Sequence, residues 1–284
     1  MMIKLKTTLF LAGLTALVLG VGYYFGGQQG AFIALIISAV MNLGSYWFSD
    51  KIVLAMYRAK EIAPKDNLRF HTIIEELAQK AKLPKPKLYL VDLSVPNAFA
   101  TGRNEHHAVV AVTSGILKLL NEEELRGVLA HELSHIKNKD ILISSIAATL
   151  AGAISYLAQM AYFAGMFGGG SRDDSRGGGN ALGMIALLIL TPIIATLLHL
   201  AISRSREYLA DETGADISND PKSLASALKK LHSYSRAHPL AGEPKYEATA
   251  HLFIVNPFKP SFLMSLFSTH PPMEERVKRL EALK

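Results

Sequence analysis

The chain has 284 residues, half of them hydrophobic and only 19% charged, with a formal net charge of +6. That is long enough for one or two domains around a buried core, and too apolar for an ordinary soluble domain. Its Lys and Arg residues form no nucleic-acid reader motif, so nucleic acid is not an expected partner; with no cysteine, disulfides and thiolate metal sites are excluded, leaving His, Asp and Glu as possible ligands.

The apolar excess is concentrated. Thr7 to Ser49 carries no charge, and neither do Ile141 to Ser171 and Gly177 to Ser203. Leu9–Phe25 and Ala31–Phe48, separated by Gly26-Gly27-Gln28-Gln29-Gly30, are each near the length that crosses about 30 Å of hydrocarbon. A second apolar run so soon after the first argues for a retained transmembrane hairpin over residues 1–49 and against a cleaved signal peptide.

Asp66 is predicted to cap a helix whose apolar positions Ile73, Ile74, Leu77 and Ala81 recur at helical spacing, ending before Pro84. Lys87–Asp92 and His107–Thr113 read as strands, with a short extended piece, Asn97–Gly102, between them. Asn121 opens a helix with Glu124 at the capping-box position and three acids at the positive end of its dipole. That helix is predicted to run on into the third apolar stretch. Residues 141–203 read as a second transmembrane hairpin, broken by the glycine-rich linker Gly168–Gly179. Asp220-Pro221 starts a helix reaching about Arg236, and Pro271–Leu283 forms a last amphipathic one. The expected architecture is mainly α with a small β-sheet. Residues 50–140 and 204–284 would form the two parts of one water-soluble domain.

His131-Glu132-Leu133-Ser134-His135 carries the chemistry. Positions four apart lie on one helix face, so both imidazoles can reach one zinc ion at about 2.0–2.1 Å. Glu132 lies one residue round the helix, placed to act as general base on a zinc-bound water. Shuffling a chain with 10 His would produce such a pattern about 0.02 times.

A catalytic zinc needs a third protein ligand and an open position. Downstream candidates are His199, Glu207, Asp211, His232, His238, His251 and His270. Glu207 stands out, because it directly follows the fourth apolar stretch and shares a helix face with Asp211. One carboxylate can then bind metal while the other, Asp211, orients a ligating histidine. His106 and His107 read as surface residues, and His199 as an interfacial one.

These motifs, with Arg206-Glu207-Tyr-Leu-Ala-Asp211, then Ser268-Thr269-His270-Pro271-Pro272 and Arg276, resemble the HtpX family of membrane zinc proteases, which is related to the CAAX prenyl endopeptidases. The resemblance covers nearly the whole chain. It implies a zincin-like metalloprotease domain holding one zinc per chain, and degradation of misfolded or damaged membrane proteins at a prokaryotic inner membrane. It implies that His270 stabilises the oxyanion, that Arg276 supports the metal-site carboxylates, and that Asn97, Ala98, Phe99 and Ala100 bind substrate. An open strand edge suits that last role, since main-chain hydrogen bonds hold a peptide with little sequence specificity.

Lys4, Lys6, Lys51, Arg58, Lys137, Lys139, Arg204 and Arg206 fall on one side of a two-hairpin topology, and only Arg172 and Arg176 on the other. The positive-inside rule then predicts a multi-pass protein with its active site facing the cytoplasm. An intramembrane protease would bury the zinc motif inside a membrane helix, whereas here it stands between Asn121-Glu-Glu-Glu and Lys137-Asn-Lys-Asp140. A scaffold without activity would have no need of Glu132.

Overall fold

A computed structural model describes residues 2–147, 149, 204–239, 249, 252–255 and 271–283. Helix α1, Met2–Met56, is broken at Gly27, whose φ of 56° and ψ of −143° are open to a residue without Cβ. Asn42 donates from Nδ2 to Thr15 Oγ1 at 2.9 Å. Along a straight helix those residues would stand about 40 Å apart at 1.5 Å per residue, so the two arms fold back on each other as a hairpin. The second arm, Gly27–Met56, is long and apolar enough to cross a membrane, and exposes Phe32, Ile33, Ile36, Val40 and Trp47.

A four-stranded mixed sheet follows. Its strands are β1 (Lys60–Glu61), β2 (Lys87–Val91), β3 (Ala98–Thr101) and β4 (Val109–Thr113), in the order β1-β2-β4-β3. β2 and β4 run parallel, while β1 and β3 lie antiparallel at the two edges. Helices α2 (Leu68–Ala81), α3 (Ser114–Leu119), α4 (Glu122–Lys137), α5 (Arg204–Ser218), α6 (Pro221–Ala237) and α7 (Met273–Ala282) complete the described elements.

Side chains alternate across a sheet, and here both faces are covered. Leu88, Val110 and Val112 point into a core built with Ile74 and Leu77 of α2, Leu129 and Leu133 of α4, Leu228 of α6 and Leu280 of α7. Val91, Phe99, Val109 and Ala111 point the other way, against Val53, Leu54 and Tyr57 at the end of α1 and against Leu252 and Phe253. The last turn of the hairpin is therefore part of the sheet's packing.

Three expectations change. Asn67, not Asp66, caps α2 by accepting from Phe70 N–H, because Asp66 is already taken by the Ala63 N–H of the preceding turn. β4 starts at Val109, because Asn104 Oδ1 accepts from the His106 and His107 N–H groups and winds Glu105–His107 into a 3₁₀ turn. The motif helix also stops at Lys137. Lys139 takes a left-handed φ of 62°, and a new helical run begins at Ile141. Beyond those first turns, the expected second hairpin lies outside the described residues, as do His199, His251 and His270.

Candidate metal centre

α4 is set by its own sequence. Asn121 Oδ1 accepts from Glu124 N–H at 2.9 Å, and Glu124 Oε2 accepts from Asn121 N–H at 3.0 Å, closing a capping box. Glu124 also takes Ser226 Oγ at 2.7 Å and Lys230 Nζ at 2.8 Å from α6, anchoring the start of the helix. Two turns on, His131 and Glu132 are buried and His135 is half-buried.

α5 crosses α4 at this point. Glu207, Asp211 and Gly214 recur at helical spacing on one face. Gly214 lies so close that a Cβ there would come within 2.8 Å of His131 Cα. The glycine thus lets the helix backbones approach until the carboxylates reach the imidazoles. The Nε2 atoms of His131 and His135 are 3.2 Å apart. Glu207 Oε2 lies 3.9 Å from the first, and its Oε1 3.6 Å from the second. Donors at about 2.0–2.1 Å from a tetrahedral ion stand roughly 3.3 Å apart, which is close to the spacing found. Two imidazole nitrogens and a carboxylate facing one point suit a cation between them, and among the described residues this is the one group able to hold a metal ion.

Each histidine has a carboxylate behind it. His131 Nδ1 is 3.0 Å from Asp211 Oδ1, though out of hydrogen-bond alignment. His135 Nδ1 is 3.4 Å from Asp140 Oδ2. Such carboxylates favour a proton on Nδ1 and leave Nε2 for metal. Arg276, fully buried, grips Asp211 with Nε–Oδ2 and Nη2–Oδ1 contacts of 2.7 Å and reaches Glu207 Oε2 from Nη1 at 3.4 Å. Burial works to raise the Asp211 pKa, but the Arg276 guanidinium outweighs it and holds the carboxyl low.

The field of these acids acts on the protonation of His135 and Glu132. Burial disfavours a charged His135, yet the Asp140 hydrogen bond and the charges of Glu207 and Glu132 overcome it and push the imidazole up to about 9. Negative potential strong enough to hold a proton there is also what attracts a dication. Glu132 is raised, chiefly by burial, in the direction a general base needs. Its Oε2 accepts from the Ala100 N–H at 2.9 Å, which joins the motif to strand β3.

A cleft opens above these groups, lined also by Phe99, Ala100, Ile141 and Arg206. The structure brings together His131, Glu132, His135, Glu207, Asp211, Arg276, Phe99 and Ala100. It turns Asn97 away: Nδ2 donates to Leu252 O at 3.1 Å, and Oδ1 accepts from Ile254 N–H at 3.0 Å. Ala98 is buried in the first core, and all four residues of β3 are buried although no strand lies beyond it among the described residues. Sequence reasoning missed Asp140, Arg206 and Leu252–Ile254, all lining the cleft. Asp140 could have been found only by anticipating the break at Lys139, which folds it back onto His135.

A mainly helical fold with a small mixed sheet, and a His-His-Glu cluster next to an edge strand, define a metallopeptidase. Peptidase family M48 matches residues 64–284, and the chain belongs to that family. It is 55% identical over 281 residues to the protease HtpX homolog of Syntrophobacter fumaroxidans, covering 99% of both chains. It is 54% identical to that of Pyrococcus furiosus, over 98% of this chain and 95% of the relative. A crystal structure of S. mikatae Ste24p shares the fold with a TM-score of 0.53 at 19% identity, over 99% of this chain and 66% of that one.

Proposed function

We propose that this protein is a membrane-anchored zinc endopeptidase. It would hydrolyse peptide bonds of misfolded or damaged membrane proteins at the cytoplasmic face of a prokaryotic inner membrane, with one zinc per chain. The observation that carries the reading is the convergence of donor atoms of His131, His135 and Glu207, all within 4.8 Å of one another, beside the buried carboxyl of Glu132. Zinc held there would polarise a carbonyl and lower the pKa of a water molecule.

Glu132 takes the proton of the attacking water at its carboxylate and returns it to the leaving amine. Asp140 orients the His135 imidazole through Nδ1, Asp211 sets its charge 3.0 Å behind His131 Nδ1, and Arg276 holds the Asp211 carboxyl low while reaching Glu207. An extended substrate lies along β3. Ala100 N–H points away from β4, since it is bonded to Glu132, so the main chain of the strand has groups turned toward the cleft. Main-chain pairing of this kind accepts unfolded segments of many sequences, which suits quality control. His270, by resemblance, stabilises the oxyanion.

Zinc per chain and casein cleavage, measured with and without chelator, test the reading. Glu207→Ala should lose zinc, and Asp211→Ala should bind it about 10- to 100-fold more weakly. Full zinc in Glu207→Ala would move the third ligand elsewhere. For orientation, Lys137→Cys, Ser171→Cys and Ser205→Cys in this cysteine-free chain should react differently with an impermeant thiol reagent on intact cells. Only position 171 should label. Labelling at 137 or 205 would place the site on the outer face.

A further inference from the structure

Leu252, Phe253 and Ile254 belong to no strand, yet all three are buried, with exposures of 6%, 1% and 4%. With Phe99, Ala100 and Ile141 they make the apolar side of the metal cleft, while Asp140 and Arg206 are polar parts of its lining. The Asn97 amide imitates a neighbouring strand for them, donating to Leu252 O and accepting from Ile254 N–H. Arg276 Nη1 donates to Ile254 O at 3.4 Å. Three residues earlier, the Thr249 hydroxyl pairs with that of Tyr57. The Tyr57 ring in turn stands 5.2 Å from Phe99 and 6.4 Å from Phe253. An irregular segment is thereby tied to the substrate strand, to the arginine of the metal site and to the end of the membrane hairpin.

We propose that Leu252–Ile254 is the specificity wall of the site. It would receive an apolar substrate side chain beside the scissile bond, with Asn97 and Tyr57 as positioning residues that hold it against β3. The proposal rests on the peptidase reading above and adds a substrate preference to it. Pairing along β3 is blind to sequence, so side-chain selection has to come from what stands next to the strand. An apolar surface of this kind discriminates by about 10- to 200-fold per methylene-sized difference, and rejects a charge through the cost of burying it. It also explains why Asn97, at the start of the substrate strand, spends both ends of its amide on the protein itself.

The test uses the full-length, zinc-loaded protein in detergent and quenched-fluorescence peptides. Two series vary a single residue, one on each side of the cleaved bond, through Leu, Ala and Glu. The unaltered protein should favour Leu over Ala, and both over Glu, in one series. In Leu252→Ser the leucine-to-alanine ratio of kcat/KM should fall about 10-fold with zinc per chain unchanged. Asn97→Asp, which cannot donate to Leu252 O, should lower the same ratio through a raised KM. Equal rates for Leu, Ala and Glu on both sides in the unaltered protein would overturn the wall without depending on any variant. So would cleavage by both variants with the ratio intact. No cleavage of any peptide by the zinc-loaded protein would instead overturn the peptidase reading itself.

Discussion

Helices α4 and α5 supply the candidate metal centre in almost equal parts, but they are held in place by different means. α4 carries its own instructions: a capping box, three acids in its first turn, and an apolar face formed by Val128, Leu129 and Leu133. α5 presents Glu207 and Asp211 to the interior at 6% and 2% exposure, a placement that is unfavourable without partners. Those partners come from elsewhere: Arg276, 65 residues beyond Asp211, and the imidazoles of α4. Thus one half of the site is built locally and the other is stabilised only when the domain closes.

The largest effect should come from the one group whose removal leaves both helices intact. Glu132→Gln keeps size and burial, so zinc should stay while casein cleavage falls by about 10² to 10⁴ or more, the range of proton transfer. A comparable rate in the variant would remove Glu132 from the mechanism. Next comes the tie that holds α5. Arg276→Met leaves Asp211 and Glu207 buried without their cation, and should cost about 3–5 kcal/mol in chemical denaturation together with zinc. A loss under 1 kcal/mol would show that α5 is held without it.

The third prediction concerns pH in the chelated protein. The folded pKa of His135 is raised from 6.5 to about 9. Its contribution is therefore fully present below pH 6.5 and lost as pH rises through 9, on the order of 3 kcal/mol. Metal needs the neutral imidazole, so zinc affinity should climb over the same window. Denaturation curves of the chelated protein that stay flat between pH 6 and 10 would mean that the acids around His135 do not hold a proton on it. The smallest effect belongs to the local half: Asn121→Ala should cost about 1 kcal/mol by loss of the cap, with zinc affinity unchanged. A large drop in zinc affinity would mean that α4 also depends on its surroundings.

The same division separates what could be read from the sequence. The apolar hairpin with its glycine break, the capped motif helix, His131, Glu132 and His135, and the helix opened by Asp220-Pro221 are local signals, because helical spacing and capping depend on neighbours within about four residues. Family membership follows from the same motifs. Asn67 replaced Asp66 as a cap, and the 3₁₀ turn shortened β4, where two adjacent polar residues compete and only the folded turn decides. Asp140 depends on a left-handed residue at Lys139, a device any chain model based on periodicity would read as continuous helix. Asn97 stands just before β3, and its amide is claimed by backbone groups of Leu252 and Ile254, 155 and 157 residues away, a pairing no local pattern announces. The paired histidines, Glu132, Glu207 and Asp211 were thus readable in the sequence itself, and Arg276 through the family motif, whereas Asp140 and the Leu252–Ile254 wall were decided by tertiary structure. Burying a charge is favourable only beside a partner, and the chain supplies each partner from a distant element.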